Sequence, residues 1–377
     1  TPPALRATSP YTGEAKQNCD LDKKEEHTMT NREIIDRMDR GEVPAREELI
    51  RLLGSFTDDE REYAAALAAR KAKEQFGTAV YTRGLVEFSN YCKNNCLYCG
   101  IRAGNPEVQR YRLTKEEILD CCEQGYAMGY RTFVLQGGED PHYSDDMIVD
   151  IVSTIRSLYP DCAITLSIGE KSRESYQRFF DAGANRYLLR HESISPCHYA
   201  MLHPESMSWE RRMQCLRDLK DIGFQTGCGC MVGSPGQTIE NLADELLFYK
   251  EFNPQMVGMG PFLPHHATPF KDEKAGSVEM SLMMLSLTRL LLPKVLLPST
   301  TALGTAEEGG RNRGILAGAN VIMPNLSPMK QRSKYLLYDN KTGLGEDASE
   351  QLVLIEELLN SIGYHSVVAR GDYPGEE

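Results

Sequence analysis

From Arg83 onward the chain alternates short β-branched runs with longer helical patterns, and this alternation constrains its fold more than any other feature. Candidate strands begin near Gly84, Arg131, Ala163, Arg186, Gln225, Met256, Leu296 and Asn320, which makes eight. Between them run helical stretches such as Thr114 to Met128, Ser144 to Tyr159, Trp209 to Ile222, Thr238 to Phe252 and Ser277 to Leu292. Strands alternating with helices imply βα units and a parallel sheet. Eight such units close as an α/β fold of the (β/α)8 TIM-barrel type, with chemistry at the C-terminal ends of the strands. Ahead of the barrel, the capping boxes at Thr30 to Glu33 and Thr57 to Glu60 predict a small helical layer. The expected division is a flexible tail over 1–29, helices over 30–77, the barrel over 78–338, and a last helix from Ser349 to Ile362 with a frayed end beyond Gly371.

Composition narrows what such a barrel does. A formal charge of -12 argues against a nucleic-acid surface. No run approaches the apolar length of a membrane span. The 11 cysteines follow no disulfide framework, which points to a reducing cytoplasm. Cys19, in the tail, reads as a free thiol without a role.

The first strand ends in Cys92-Lys93-Asn94-Asn95-Cys96-Leu97-Tyr98-Cys99. Three thiolates so spaced hold three irons of a 4Fe-4S cube and leave the fourth iron open to chelate a small molecule and pass it an electron. A structural zinc site is the alternative, but zinc wants a fourth ligand, usually from a second closely spaced pair. Cys228 and Cys230 stand too close together for that and read as packing.

The other strand ends carry further candidates. The second ends in Gln136-Gly137-Gly138-Glu139, where glycines let the backbone approach a ligand. On the third, Thr165 and Ser167 alternate into the barrel mouth, for substrate contact or merely to satisfy backbone groups. The fourth ends in Arg190-His191-Glu192, charges that are costly to bury without a partner or ligand. Glu192 is placed to accept from ribose hydroxyls and Arg190 to neutralise a carboxylate. Arg211, in the first turn of the next helix, reads as a second carboxylate clamp. Met231, before the turn Gly233-Ser234-Pro235-Gly236, leaves room for an adenine ring, and Met323 with Pro324 on the eighth strand would flank the nucleoside. Thr300 and Thr301 are expected at the cavity floor. His265-His266 reads as a surface loop rather than a metal site.

The cysteine motif, with its aromatic Tyr98, resembles that of the radical S-adenosylmethionine (SAM) superfamily, and Gly137-Gly138-Glu139 resembles the superfamily's GGE motif, which meets the SAM amino group. The strings EFSNYCKNNCLYCGIR, LQGGEDP, RYLLRHE, MVGSPGQT, GPFLPH, STTALGT and GANVIMPN further resemble the maturases of FeFe-hydrogenase known as HydE, from about Thr30 to Tyr338. The resemblance implies a radical SAM enzyme with one 4Fe-4S cluster, SAM and an external electron donor. It implies a large anion-binding cavity lined by Arg83, Thr165, Ser167, Thr300, Thr301 and Tyr335. There a small anionic iron-carbonyl-cyanide-cysteine complex from a sister maturase would be attacked at sulfur by the adenosyl radical. An auxiliary cluster carried by some members is excluded, since no cysteine follows Cys230. Rivals are a methylornithine synthase-like mutase acting on an amino acid, a biotin-synthase-like sulfur inserter, and a non-catalytic cluster scaffold. A mutase needs acidic partners for the substrate ammonium, and a sulfur inserter needs a second cluster. A scaffold leaves Gly137, Glu192 and Arg211 unexplained.

Overall fold

The computed structural model describes residues 29–375; the expected tail before Met29, Cys19 within it, and the last two residues lie outside that range. Strands β1 (Ala79–Thr82), β2 (Gly84–Ser89), β3 (Thr132–Gly137), β4 (Ala163–Ser167), β5 (Arg186–Leu188), β6 (Gln225–Cys228), β7 (Met231–Val232), β8 (Met256–Val257), β9 (Gly260–Pro261), β10 (Val321–Ile322) and β11 (His365–Val367) follow in order. Six of them form one parallel sheet, β2-β3-β4-β5-β6-β8.

The expected seventh strand shrinks to two bridges, Met256 to Leu296 and Pro298 to Val321. Pro298 has no N–H to give a ladder, and Leu297 N donates to the Asn320 side chain instead. The ring still closes, because Arg83 N donates to Ile322 O (2.9 Å), Leu85 N to Pro324 O (2.8 Å) and Leu326 N to Leu85 O (2.7 Å). The chain is therefore a (β/α)8 barrel.

Register decides which side chains see the lumen. Leu85, Val134, Thr165, Arg186 and Gln225 are successive partners and share one face of the sheet. The alternate set Val86, Leu135, Leu166 and Tyr187 joins the main hydrophobic core under the helices. Capping boxes at Thr30, Thr57 and Thr114 start their helices as the sequence requires. The alanine-rich helix Asp58–Phe76 packs against Val278–Leu291, which is buried along most of its length.

The chain end departs from expectation. β11 pairs with β1, and Arg370 to Asp372 then pass beneath the barrel instead of fraying. Arg186 donates there to Asp372 (2.7 Å) and to Arg370 O (2.8 Å), and Thr132 Oγ1 donates to Arg370 O (2.7 Å). A cation buried at the bottom of the barrel needs a counter-charge, and the terminal segment supplies it.

Candidate active site

The loop after β2 is held from several sides before any ligand is considered. Leu97 N donates to Leu202 O (2.9 Å), Gly100 N to Leu337 O (2.9 Å) and Lys93 N to Glu139 O (2.9 Å). Arg110 donates to Ile101 O (2.8 Å) and Arg102 O (2.7 Å), stapling the residues just after Cys99. Tyr98 is half-buried, with its hydroxyl 3.4 Å from His203. His203 Nδ1–H donates to Tyr199 O (2.8 Å), so its Nε2 accepts from Tyr98. Burial pushes the His203 imidazole down to about 3, which keeps it in this neutral form. Neither His203 nor Arg110 was singled out from the sequence, since no local pattern marks them.

Cys92, Cys96 and Cys99 are free, partly accessible thiols on this loop. Burial raises all three, Cys99 to about 12, and each is raised further by charge on a neighbouring group, with Arg110 and Arg212 opposing. Thiols so placed ionise only against added positive charge, which fits a thiolate-ligated iron cluster. Gly138 fits the same picture, since a Cβ there would lie 2.2 Å from Tyr91 O and 2.8 Å from Cys92 Cβ. The loop after β3 thus packs directly on the cysteine loop, and only glycine permits it. Glu139 braces the two: its carboxylate accepts from Glu170 N (2.9 Å) and pairs with Lys93 (3.2 Å).

Across the mouth, Arg190 donates to Glu192 (2.9 Å), while its buried Nε has no partner. Glu192 has φ +65°, a left-handed conformation that costs a non-glycine residue about 1 to 3 kcal/mol and recurs at ligand sites. Its N–H is held by Gly229 O (3.0 Å), and behind it His191 and Glu245, both fully buried, pair at 2.6 Å.

Several expected positions shift. Arg211 turns outward, is exposed and donates to Lys171 O, while Arg212 turns inward to Glu170 (2.6 Å) and Arg190 O (2.6 Å). Helical phase could have shown this, because Arg212 shares a face with the buried Leu216 and Leu219. Met231 packs with Tyr98 and Phe262 beside the motif, whereas Met323, just past β10, is half-buried against the cluster of Met256 and Leu296. Thr300 caps the helix Thr301–Ala306 and Thr301 accepts from Arg311 (3.2 Å), so both end the seventh strand. The floor instead holds Arg83, whose Nη groups reach only Met256 Sδ (3.1 Å) and Gly371 O (3.4 Å) and whose buried Nε is bare.

In the lumen, Glu87, Gln136 and Ser167 are register partners, and Gln136 reaches the Tyr335 hydroxyl at 3.4 Å. Glu87 is neutralised by Lys341 (2.6 Å) and accepts from the Asn325 amide (2.7 Å). Thr165 points its hydroxyl inward with no partner.

Among the described residues, His265, His266 and Asp339 bring potential metal ligands within 4.8 Å of one another. His265 Nδ1 accepts from Ala267 N (3.1 Å), so its Nε2 carries the proton toward Asp339. A metal-bound histidine has the reverse arrangement, its free nitrogen donating. His265 is buried, not a surface residue, and its ring would meet a Cβ on Gly100 at 2.3 Å, so it anchors the end of the cysteine loop.

Comparison with known proteins agrees with this geometry. Residues 86–248 match the Radical SAM superfamily. The chain is 44% identical over 335 residues to the [FeFe] hydrogenase maturase subunit HydE of Thermotoga maritima, covering 89% of this chain and 95% of that protein. It is 29% identical over 294 residues to 3-methylornithine synthase of Methanosarcina acetivorans, covering 77% and 82%. The crystal structure of methylornithine synthase (PylB) superposes with a TM-score of 0.79 at 26% identity, over 89% of this chain and 97% of that one. With the cysteine loop, the glycine contact at Gly138 and near full-length likeness to one maturase, the chain is an enzyme of the radical SAM superfamily and belongs to its HydE family.

Proposed function

We propose that this enzyme takes part in building the active-site cofactor of FeFe-hydrogenase by processing a small anionic iron-carbonyl-cyanide-cysteine complex inside the barrel. Cys92, Cys96 and Cys99 hold one 4Fe-4S cluster, and Gln136, Gly137, Arg190, Glu192 and Met231 contact SAM, with Arg212 replacing Arg211 as the inner cation. When bound, the cluster supplies the electron that cleaves SAM. Tyr98, His203 and Arg110 fix the loop that carries the ligands, and Glu139 fixes its distance from β3. Arg190 and Glu192 orient polar ends of SAM, while Thr165, Ser167, Tyr335 and Arg83 offer the substrate hydrogen-bond donors. Thr300, Thr301 and Met323 contribute to the wall. The substrate, the external electron donor and the sister maturases are this proposal's partners.

The observation that carries the choice is the charge state of the lumen. Its one inward carboxylate on the first barrel strands, Glu87, is already bound to Lys341 and Asn325, whereas Arg83, Arg190 and Thr165 keep unpaired buried atoms. Unpaired donors suit an anion, and the strand carboxylate that would meet the ammonium of a zwitterionic lysine, Glu87, is already taken. The test is anaerobic. Reconstituted protein with dithionite and SAM should form 5'-deoxyadenosine and support hydrogenase activation in a maturation assay, and it should not convert lysine to methylornithine. Lysine rearrangement, or full activation when this protein is left out, would overturn the reading.

A further inference from the structure

Next to the lumen, and sharing with it the Lys341 and Asn325 that bind Glu87, a cavity of about 290 Å³ opens between the barrel wall at Leu85, Thr301 and Met323 and the helix Ala348–Ser361. Two side chains of opposite charge, Arg311 and Glu346, line it. Arg311 donates one Nη–H to Thr301 Oγ1 at 3.2 Å, and its buried Nε has no partner. Glu346 likewise keeps a buried carboxylate oxygen, Oε2, without a partner. Of the other charged groups that line it, Lys341 is bound to Glu87 at 2.6 Å and Glu308 is exposed.

Bare charged atoms are costly to bury, and two of opposite sign would join if their backbones allowed it. These two ride on different elements, the helix Gly310–Leu316 and the loop ahead of Ala348–Ser361, and the cavity lies between them. A simple anion would satisfy Arg311 and leave Glu346 facing more negative charge. A ligand with a carboxylate at one side and an ammonium at the other satisfies both. Met323, Ile355 and Leu358 give the wall an apolar side, while the polar Asn325 and Gln351 are already bonded to Glu87 and to Gly343 O and Glu346 O.

We propose that this cavity binds a free α-amino acid with an apolar side chain, its carboxylate on Arg311 and Thr301, its ammonium on Glu346 and its side chain against Met323, Ile355 and Leu358. The volume suits it, since a water occupies about 30 Å³ of liquid and a leucine-sized molecule replaces only a few. The inference goes beyond the reaction proposed above and needs neither the cysteine loop nor SAM.

Calorimetric titration with three probes tests it: L-leucine, 4-methylpentanoate, which lacks the ammonium, and 3-methylbutylamine, which lacks the carboxylate. L-leucine should bind saturably, and each truncated probe should bind about tenfold or more weakly, the loss expected for one charge-assisted hydrogen bond. Arg311→Met should weaken L-leucine and 4-methylpentanoate alike, whereas Glu346→Gln should weaken L-leucine and spare 4-methylpentanoate. Lack of saturable L-leucine binding at millimolar concentration would overturn the proposal, and so would equal binding of all three probes. If Arg311→Met fails to fold, Glu346→Gln and the wild-type probe series still decide. Reductive SAM cleavage on the same wild-type samples reports separately on the maturase reading.

Discussion

Arg186 and Arg190 stand on and just past the same strand, yet they face opposite needs. Arg186 is 0% exposed and its guanidinium is satisfied by Asp372, Arg370 O, Thr132 and Gln225 at 2.7 to 3.2 Å. Arg190 has Glu192 alone, and its buried Nε is bare. The difference separates a cation that holds the fold from one that awaits a ligand: buried polar groups are normally paired, and an exception at a cavity marks where something binds. The contrast extends around these two residues: at the floor the chain's end completes the bonding of Arg186, although neighbouring Arg83 keeps a bare Nε, whereas the rim carries free thiols, a strained Glu192 and the unpaired Arg190 donor.

The largest effect tests the rim. Replacing Cys92, Cys96 and Cys99 together with alanine should abolish iron and its visible absorption after reconstitution while the far-ultraviolet circular dichroism stays native. Substantial iron in that variant would mean that the rim does not hold the cluster.

At the floor, Asp372→Asn removes the counter-charge of buried Arg186; because Asp372 is itself partly exposed, the cost should be about 1.5 to 3 kcal/mol of stability by denaturant titration. Its pH dependence sharpens the point. Burial pushes the Asp372 carboxyl up, but Arg186 and Arg370 outweigh this and hold it below the usual carboxylate range. A depressed folded pKa stabilises above the unfolded value of about 4, and the gain is lost as pH falls through the folded value. Wild type should therefore lose this contribution in acid below about pH 4, and Asp372→Asn should not. Equal acid sensitivity in both would remove the floor from the comparison.

Arg190→Met is the matching change at the rim. It should weaken SAM binding by about 1.5 to 3 kcal/mol and shift stability much less, because a ligand and not the fold completes its bonding. A variant that unfolds but binds SAM normally would reverse the two roles. The smallest effect belongs to Arg211→Ala, expected within about 0.5 kcal/mol for both stability and SAM affinity, since that side chain lies on the surface. Arg212→Leu, by contrast, should weaken SAM binding; if Arg211 proved the more sensitive, the inward turn of Arg212 would not matter for the cofactor.

The cysteine loop, the glycine pair after β3, the capped helices and the order of the barrel strands were legible in the chain, because each rests on spacing or periodicity within a few residues. Position in the first helical turn points to Arg211, whereas the phase of the helix's buried face points Arg212 inward. The level of Thr300 and Thr301 in the barrel is not legible locally, because strand level in a tilted barrel depends on register with neighbours far off in sequence.

What the amino-acid sequence determined by itself is therefore local: which segments become strand or helix, and which loop carries three thiols at ligand spacing. Only the tertiary structure decided that the chain's end seals the barrel floor through Arg186, that Glu87 is spent on Lys341 and Asn325, and that Arg311 and Glu346 share a cavity. The physical reason is that a charge's role depends on its partners, and those partners, such as Asp372 for Arg186 or Lys341 for Glu87, lie far away along the chain and meet only once the barrel has closed.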